Sequence, residues 1–203
     1  MTTKSHTGMK QGRLEAQPEL QQRSYEIQPF GQQHTVPIGL PEDAIKKNVE
    51  MLNRLLADSI TLYLLYKKHH WQVAGPTFYQ LHLLLDQHAE EVLTTVDLLA
   101  ERIQALGGVS VAMPQDVSEM TQIERPPRGE ENVPSMLART VNAHSAIIKL
   151  LREAIEVTEE NKDWGTNDLL MSDVLRMHEK QVWLISQHLV DTPLVESDRS
   201  NGA

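Results

Sequence analysis

Residues 77–106 read TFYQLHLLLDQHAEEVLTTVDLLAERIQAL and run into Gly107–Gly108. Leu81, Leu85, Val92, Val96, Leu99, Ile103 and Leu106 recur at helical spacing, which predicts one long amphipathic helix. Thr77 is placed to cap its start, and the glycine pair to stop it. Beside the apolar stripe lie two pairs of metal-capable side chains, His82/Asp86 and Asp97/Glu101, each spanning one helical turn. The two pairs mirror each other about one point, between Glu91 and Val92. On a wheel of about 100° per residue the four fill a sector of roughly 100° bordering the stripe. A partner helix can reach carboxylates at such a border, whereas a solvated face points away from it. Any one of the four is an ordinary exposed charge; their mirrored spacing carries the reading. The pairs lie about 22 Å apart along the axis, so one chain cannot close them around one ion. A second copy, antiparallel across a two-fold axis, would set His82/Asp86 of one chain beside Asp97/Glu101 of the other. The segment reads as half of a metal site.

Upstream, Pro41–Glu42–Asp43 supplies proline and acids to the first turn of a helix expected from about Pro41 to His70. Its apolar positions include Val49, Leu52, Leu55, Leu56, Ile60, Tyr63 and Tyr66. Downstream, residues 109–132 hold prolines and charges with room for one short helix. A third long helix is expected from about Val133 to Glu160. Asp163–Trp164–Gly165–Thr166 breaks it. Thr166 or Asn167 caps a fourth, continuous to about Leu189, with Met171, Val174, Leu175, Val182, Ile185 and Leu189 inward. Four long amphipathic helices without a strand signal give an all-α four-helix bundle with a long crossover between helices two and three. The domain is expected at 41–192. A flexible arm precedes it at 1–40, rich in Gln and broken by Pro18, Pro29 and Pro37, with Tyr25–Phe30 able to dock as an extended segment. A short tail, 193–203, follows.

The chain has 203 residues and no cysteine, so disulfides, iron–sulfur clusters and thiolate zinc sites are excluded. Oxygen and imidazole remain as ligands, the set suited to iron, manganese or zinc. A formal net charge of -9 disfavours nucleic acid, whose nonspecific affinity comes from basic side chains, and favours cations. No apolar run approaches the roughly 18 residues of a membrane span. The polar start, Met1 to Gln11, lacks a signal-peptide core, so a cytoplasmic protein is expected.

The run Lys68–His69–His70–Trp71–Gln72–Val73–Ala74–Gly75–Pro76, then Phe78, Leu81–His82, Asp86, Asp97 and Ala100–Glu101–Arg102–Ile103, resembles the signature of the Dps proteins. These are the DNA-binding proteins from starved cells, or miniferritins. The likeness covers about residues 45–195, including Gly165–Thr166–Asn167–Asp168 and the Trp183 region. It implies a ferritin-like bundle that assembles as a dodecameric shell of two-fold dimers. It also implies ferroxidase sites at the dimer interfaces, with His70, His82 and Asp86 from one subunit and Asp97 and Glu101 from its partner. The implied reaction is oxidation of ferrous iron by hydrogen peroxide and storage of ferric oxyhydroxide. Ordinary ferritins pair an acid with a histidine three residues on within one subunit, and no Glu here has His at that distance.

Trp71 adjoins His70 and could intercept a stray oxidising equivalent, or simply pack the interface. Acids near the start of the fourth helix, Asp163, Asp168 and Asp173, are implied by the resemblance to line pores that admit iron. Each could equally serve the helix dipole. His69 should face away from His70, exposed or hydrogen-bonded. His144 and His178 lie on apolar stripes and are expected as satisfied core residues, with His88 off the ligand sector. These extra imidazoles leave zinc open at the same site. The arm carries Lys4, Lys10, Arg13 and Arg23 against Glu15 and Glu19, so DNA binding is expected to be weak or absent at physiological salt. The alternatives are a non-enzymatic shell protecting DNA in the nucleoid and a zinc-occupied metal-buffering scaffold.

Overall fold

The computed structural model describes residues 25–191. The expected tail, and the first 24 residues of the expected arm, lie outside the described residues. Helix α1 spans Glu42–Gln72 and α2 spans Phe78–Ala105. The short α3 spans Pro114–Met120, and α4 spans Val133–Glu160. A composite last helix follows: α5 at Trp164–Asp168, a π-helical stretch at Leu169–Leu175, and α6 at Arg176–Gln187. No strand occurs among the described residues, and the architecture is the expected ferritin-like four-helix bundle. None of these helices is long and apolar enough to cross a membrane.

The apolar stripes of α1 and α2 go largely into the core as their spacing predicts, while on α4 Ile147 is buried and Val141, Ile148 and Ile155, expected inward, are only half-buried. Leu52, Leu55, Leu56 and Leu62 of α1 meet Leu81, Leu85, Val92, Leu99 and Ile103 of α2 in one core. Leu137, Ile147 and Leu151 of α4 close it with Leu170, Val174 and Ile185. Each such leucine removed from water contributes about 2 kcal/mol. The five residues between α1 and α2 fold them into a tight hairpin. The long connection after α2 then crosses to α4, and its short helix packs on α1. Buried Asp58 of α1 ties down the turn after α3, accepting 2.8 Å hydrogen bonds from Thr121 Oγ1, Gln122 N and Gln122 Nε2.

Some local expectations fail for identifiable reasons. Thr77 precedes α2, but its hydroxyl caps nothing. The cap of the last helix is Asp163, whose carboxylate accepts from Thr166 N at 3.1 Å, not Thr166 or Asn167. The fourth helix runs without a break from Trp164 to Gln187, but it is not α throughout. Its π-helical stretch shifts the inward face, so Leu170, Val174, His178, Gln181 and Ile185 are buried. Met171 and Leu189, expected inward, are exposed, and Val182 is half-buried.

The segment before α1 docks by polar contacts more than by its apolar side chains. His34 N and Gln28 Nε2 both donate to the Gly107 carbonyl, at 3.0 and 2.8 Å. Tyr25 and Ile27 stay exposed. Gly107 has φ 81°, and a Cβ there would lie 2.3 Å from the His34 carbonyl oxygen. Only glycine permits both that turn and that approach.

Candidate metal centre

His70 sits in the last turn of α1 and His82 in the first turns of α2, so the tight hairpin brings them face to face. His70 Nδ1 donates to the His82 carbonyl at 2.7 Å, and His82 Nδ1 donates to the His70 carbonyl at 2.9 Å. The rings stack with centroids 3.8 Å apart and planes 19° apart. These reciprocal bonds assign the proton to Nδ1 in each ring and leave both Nε2 lone pairs bare. Each ring is thus held in the tautomer a metal ligand needs.

Asp86, one turn beyond His82, brings Oδ1 to 3.9 Å from His70 Nε2. Lys67 Nζ donates to the same Asp86 oxygen. That hydrogen bond, with help from nearby positive charge, holds the Asp86 carboxyl below its ordinary range, so it is ionised. The ammonium occupies a place on the carboxylate where a metal cation would compete. Lys67 was not anticipated from the sequence. Its signal is position, three residues before His70 and on the same helix.

Asp97 and Glu101 lie further along α2, both exposed. The structure therefore gathers His70, His82 and Asp86 and leaves Asp97 and Glu101 apart from them. Among the described residues no three His, Asp or Glu side chains stand close enough to hold one ion. The surface around the acids is not a simple solvated face. Tyr79, Leu83 and Leu93 are exposed and share the α2 sector of Asp86, Asp97 and Glu101, with Leu64 and Trp71 exposed on neighbouring α1. Trp71 is 71% exposed beside His70.

The acids expected at iron-admitting pores separate into two kinds. Asp163 is only 2% exposed on its own chain. It accepts from Arg102 Nη2 at 2.7 Å, from Asn48 Nδ2 at 2.8 Å and from the Thr166 backbone and hydroxyl. Burial alone would raise its carboxyl, but the Thr166 hydrogen bonds, Arg102 and Asn48 together hold it below the ordinary value. Asp168 and Asp173 are exposed.

His69 is fully buried and hydrogen-bonded, with Nδ1 3.1 Å from Thr140 Oγ1. His144 and His178 are buried as their stripes predict, and His88 joins them inside the bundle instead of supplementing the surface site. The sequence missed that these three meet.

The ferritin-like domain model matches residues 49–195. DpsC from Streptomyces coelicolor is similar in structure with a TM-score of 0.83 and 50% identity, covering 85% of this chain and 100% of that one. The Dps homologue from Halobacterium salinarum gives a TM-score of 0.81 at 31% identity, covering 85% of this chain and 96% of that one. The Dps protein of Vibrio cholerae O1, described as a member of a broad superfamily of ferritin-like diiron-carboxylate proteins, gives 0.73 at 28%, covering 77% and 97%. A ferritin-like bundle with this likeness over most of its length places the chain in the Dps family.

Proposed function

We propose that the chain is a miniferritin ferroxidase, and that each active centre is shared between two antiparallel copies. The observation that carries this is the division of ligands. His70, His82 and Asp86 converge with bare Nε2 atoms, while Asp97 and Glu101 stand exposed on the same α2 face among apolar side chains. A second copy supplies the missing carboxylates and covers Tyr79, Leu83 and Leu93. Family resemblance extends this dimer to a hollow dodecameric shell.

Iron is the substrate. Neutral imidazoles accept ferrous iron without adding charge, and carboxylates favour the ferric product. Two ferrous ions and one hydrogen peroxide, with two waters, give two ferric oxyhydroxides and four protons. A paired site delivers both electrons to the peroxide together and avoids releasing hydroxyl radical. Asp86 stays ionised and ready, held so by Lys67 until iron displaces the ammonium. Trp71, beside His70, is the side chain placed to trap a stray oxidising equivalent. Asp168 and Asp173 are the exposed acids left to guide iron inward; Asp163 has no free oxygen for that role. The reaction belongs in the cytoplasm. The Halobacterium salinarum relative is named a DNA protection during starvation protein, at 34% identity over 153 residues, 75% of this chain and 84% of its own. For this acidic chain we infer protection through iron chemistry, with weak or absent DNA binding.

The test is oxidation of added ferrous iron by peroxide, followed optically in the assembled protein. Asp97→Ala combined with Glu101→Ala is expected to slow it about a hundredfold or more and leave the oligomer intact. Unchanged kinetics in an intact oligomer would remove the shared site. Zinc retained without any iron oxidation by the wild-type protein would favour a metal-buffering scaffold instead.

A further inference from the structure

The crossover lays α3 and the segment after it along α1 without sealing against it. Between them runs a groove of about 560 Å³, lined by Ile60, Leu64 and Leu65 of α1, Val117 of α3 and Ile123 beyond it. No α2 residue lines it, so it is separate from the face that carries Asp97 and Glu101. Its volume falls within the roughly 300–1,000 Å³ of small-molecule sites. Leu65 and Val117 are buried and make the floor, while Leu64, 53% exposed, stands at the rim. From Ile60 to Lys68 the α1 wall runs about 12 Å.

The polar groups of the lining divide into two kinds. Thr61 Oγ1 donates to the Ala57 carbonyl at 2.8 Å, Ser118 Oγ to the Gln115 carbonyl at 2.7 Å and Thr121 Oγ1 to Asp58 at 2.8 Å. Each hydroxyl proton is spent within the protein, so no hydroxyl donor remains for a guest. The charged members are Lys68 and Arg125, and no Asp or Glu lines the groove. The nearby acids are committed elsewhere. Asp116 and Glu119 line the other side of α3, Glu124 lines a separate hollow against α4, and Asp58 holds the turn. Lys68 Nζ donates to Gln72 Oε1 at 2.6 Å and to the Gly129 carbonyl at 3.0 Å, which leaves one of its three N–H groups. Arg125 is exposed and makes no ion pair among the described residues. It lies on the segment between Ile123 and Gly129, where Lys68 holds the chain, so both cations belong to the Lys68 end of the groove. On a chain of net charge -9, two cations at an apolar groove without an acid reverse the local sign.

We propose that this groove binds a free amphiphilic carboxylate of the fatty-acid class, its alkyl chain along Ile60, Leu64 and Val117 and its head held by Lys68 and Arg125. Burial of the alkyl chain supplies the affinity, because the walls offer carbon and no free hydroxyl donor. The two cations supply orientation and the choice of head group. A carboxylate gains charge-assisted hydrogen bonds there, whereas a cationic head on the same tail meets like charge. The groove shares no residue with His70, His82 and Asp86, so the proposal fails or stands without the shared ferroxidase centre.

The test uses the full-length assembled protein, titrated calorimetrically with decanoate below its micelle-forming concentration. Saturable binding of one decanoate per chain is expected, with decyltrimethylammonium at least about tenfold weaker. Lys68→Met with Arg125→Met is expected to weaken decanoate by at least about tenfold and to bring the two probes together. In a crystal soaked with decanoate, density should lie between α1 and α3 with its head at Lys68. No saturable binding, equal affinity for the two probes, or unchanged affinity in the double variant would each overturn the proposal. So would density elsewhere, or side chains of a second copy filling the groove in the assembly. Should the double variant fail to assemble, the two wild-type titrations and the soaked crystal decide.

Discussion

The hairpin of α1 and α2 and the bundle interior both carry histidines, but they hold them in opposite ways. In the hairpin, backbone carbonyls take the Nδ1 protons of His70 and His82, so both Nε2 atoms are left bare, that of His70 3.9 Å from an Asp86 carboxylate oxygen. In the interior, His88, His144 and His178 bond to a phenol and to one another, away from any carboxylate that could stabilise their protonated forms directly. The first arrangement spends little stability and leaves donors ready for an exposed reaction. The second is sealed, and its stability depends on the rings staying neutral. Backbone anchoring makes a site; mutual anchoring makes a core.

Acid should separate the two most strongly. The folded-state values of His69 and His88 fall to about 4, that of His178 to about 3, and that of His144 well below its ordinary value, in every case through desolvation first. The unfolded chain binds protons to these rings near pH 6.5, earlier than the fold does. The stability they contribute is intact above about pH 6.5 and is lost as pH falls toward 4 and then 3, at up to about 1.4 kcal/mol per pH unit for each ring. Urea midpoints are expected to drop steeply across that window. A flat profile between pH 6.5 and 4.5 would mean that the interior rings have found a partner, and the comparison with the hairpin would collapse.

Tyr66→Phe probes the interior at constant pH. The change removes the acceptor for His144 Nε2 and His88 Nδ1 and the donor to Gln181, with almost no change of shape. Leaving these buried groups unpaired should lower stability by about 2–4 kcal/mol. Iron oxidation by the assembled variant should be preserved, since the phenol touches no hairpin ligand. Equal losses of oxidation rate and stability would show that the two regions act as one.

The contrast also explains what the sequence could disclose. The stripes of α1 and α2, the Gly107–Gly108 stop and the short helix in the crossover follow from periodicity and local turn chemistry. The ligands proposed on α2 could be picked out because His82, Asp86, Asp97 and Glu101 share one helix, where spacing translates directly into geometry. The interior layer was not, because its members come from four helices and meet only through packing. His178 was expected inward, but Gln181 was hidden by the π-helical stretch, which no periodic count anticipates and which moved Leu170 inward in place of Met171. Asp163 misled for a related reason. An acid at a helix start looks the same in sequence whether it faces solvent or, as here, receives Arg102 and Asn48 in the core.

The smallest expected effect lies where the hairpin borrows the interior's device of satisfying one side chain with another, at Lys67 and Asp86. Their contact is half-exposed, so water and salt weaken it, and the pair is worth little to the fold. Its consequence is competitive, because the ammonium sits on the oxygen an incoming cation needs. Lys67→Met should tighten zinc(II) binding to the assembled protein about fivefold at pH 7, which corresponds to ~1 kcal/mol. The variant loses the hydrogen bond that holds the Asp86 carboxyl low, so that carboxyl rises toward its ordinary range. Proton competition for the site should then begin at a higher pH than in the wild type. Calorimetric titration at pH 7 and again near pH 5 separates the two consequences. Unchanged affinity at both values would place Lys67 off Asp86 in the assembly, and the hairpin would then present its carboxylate as openly as its imidazoles.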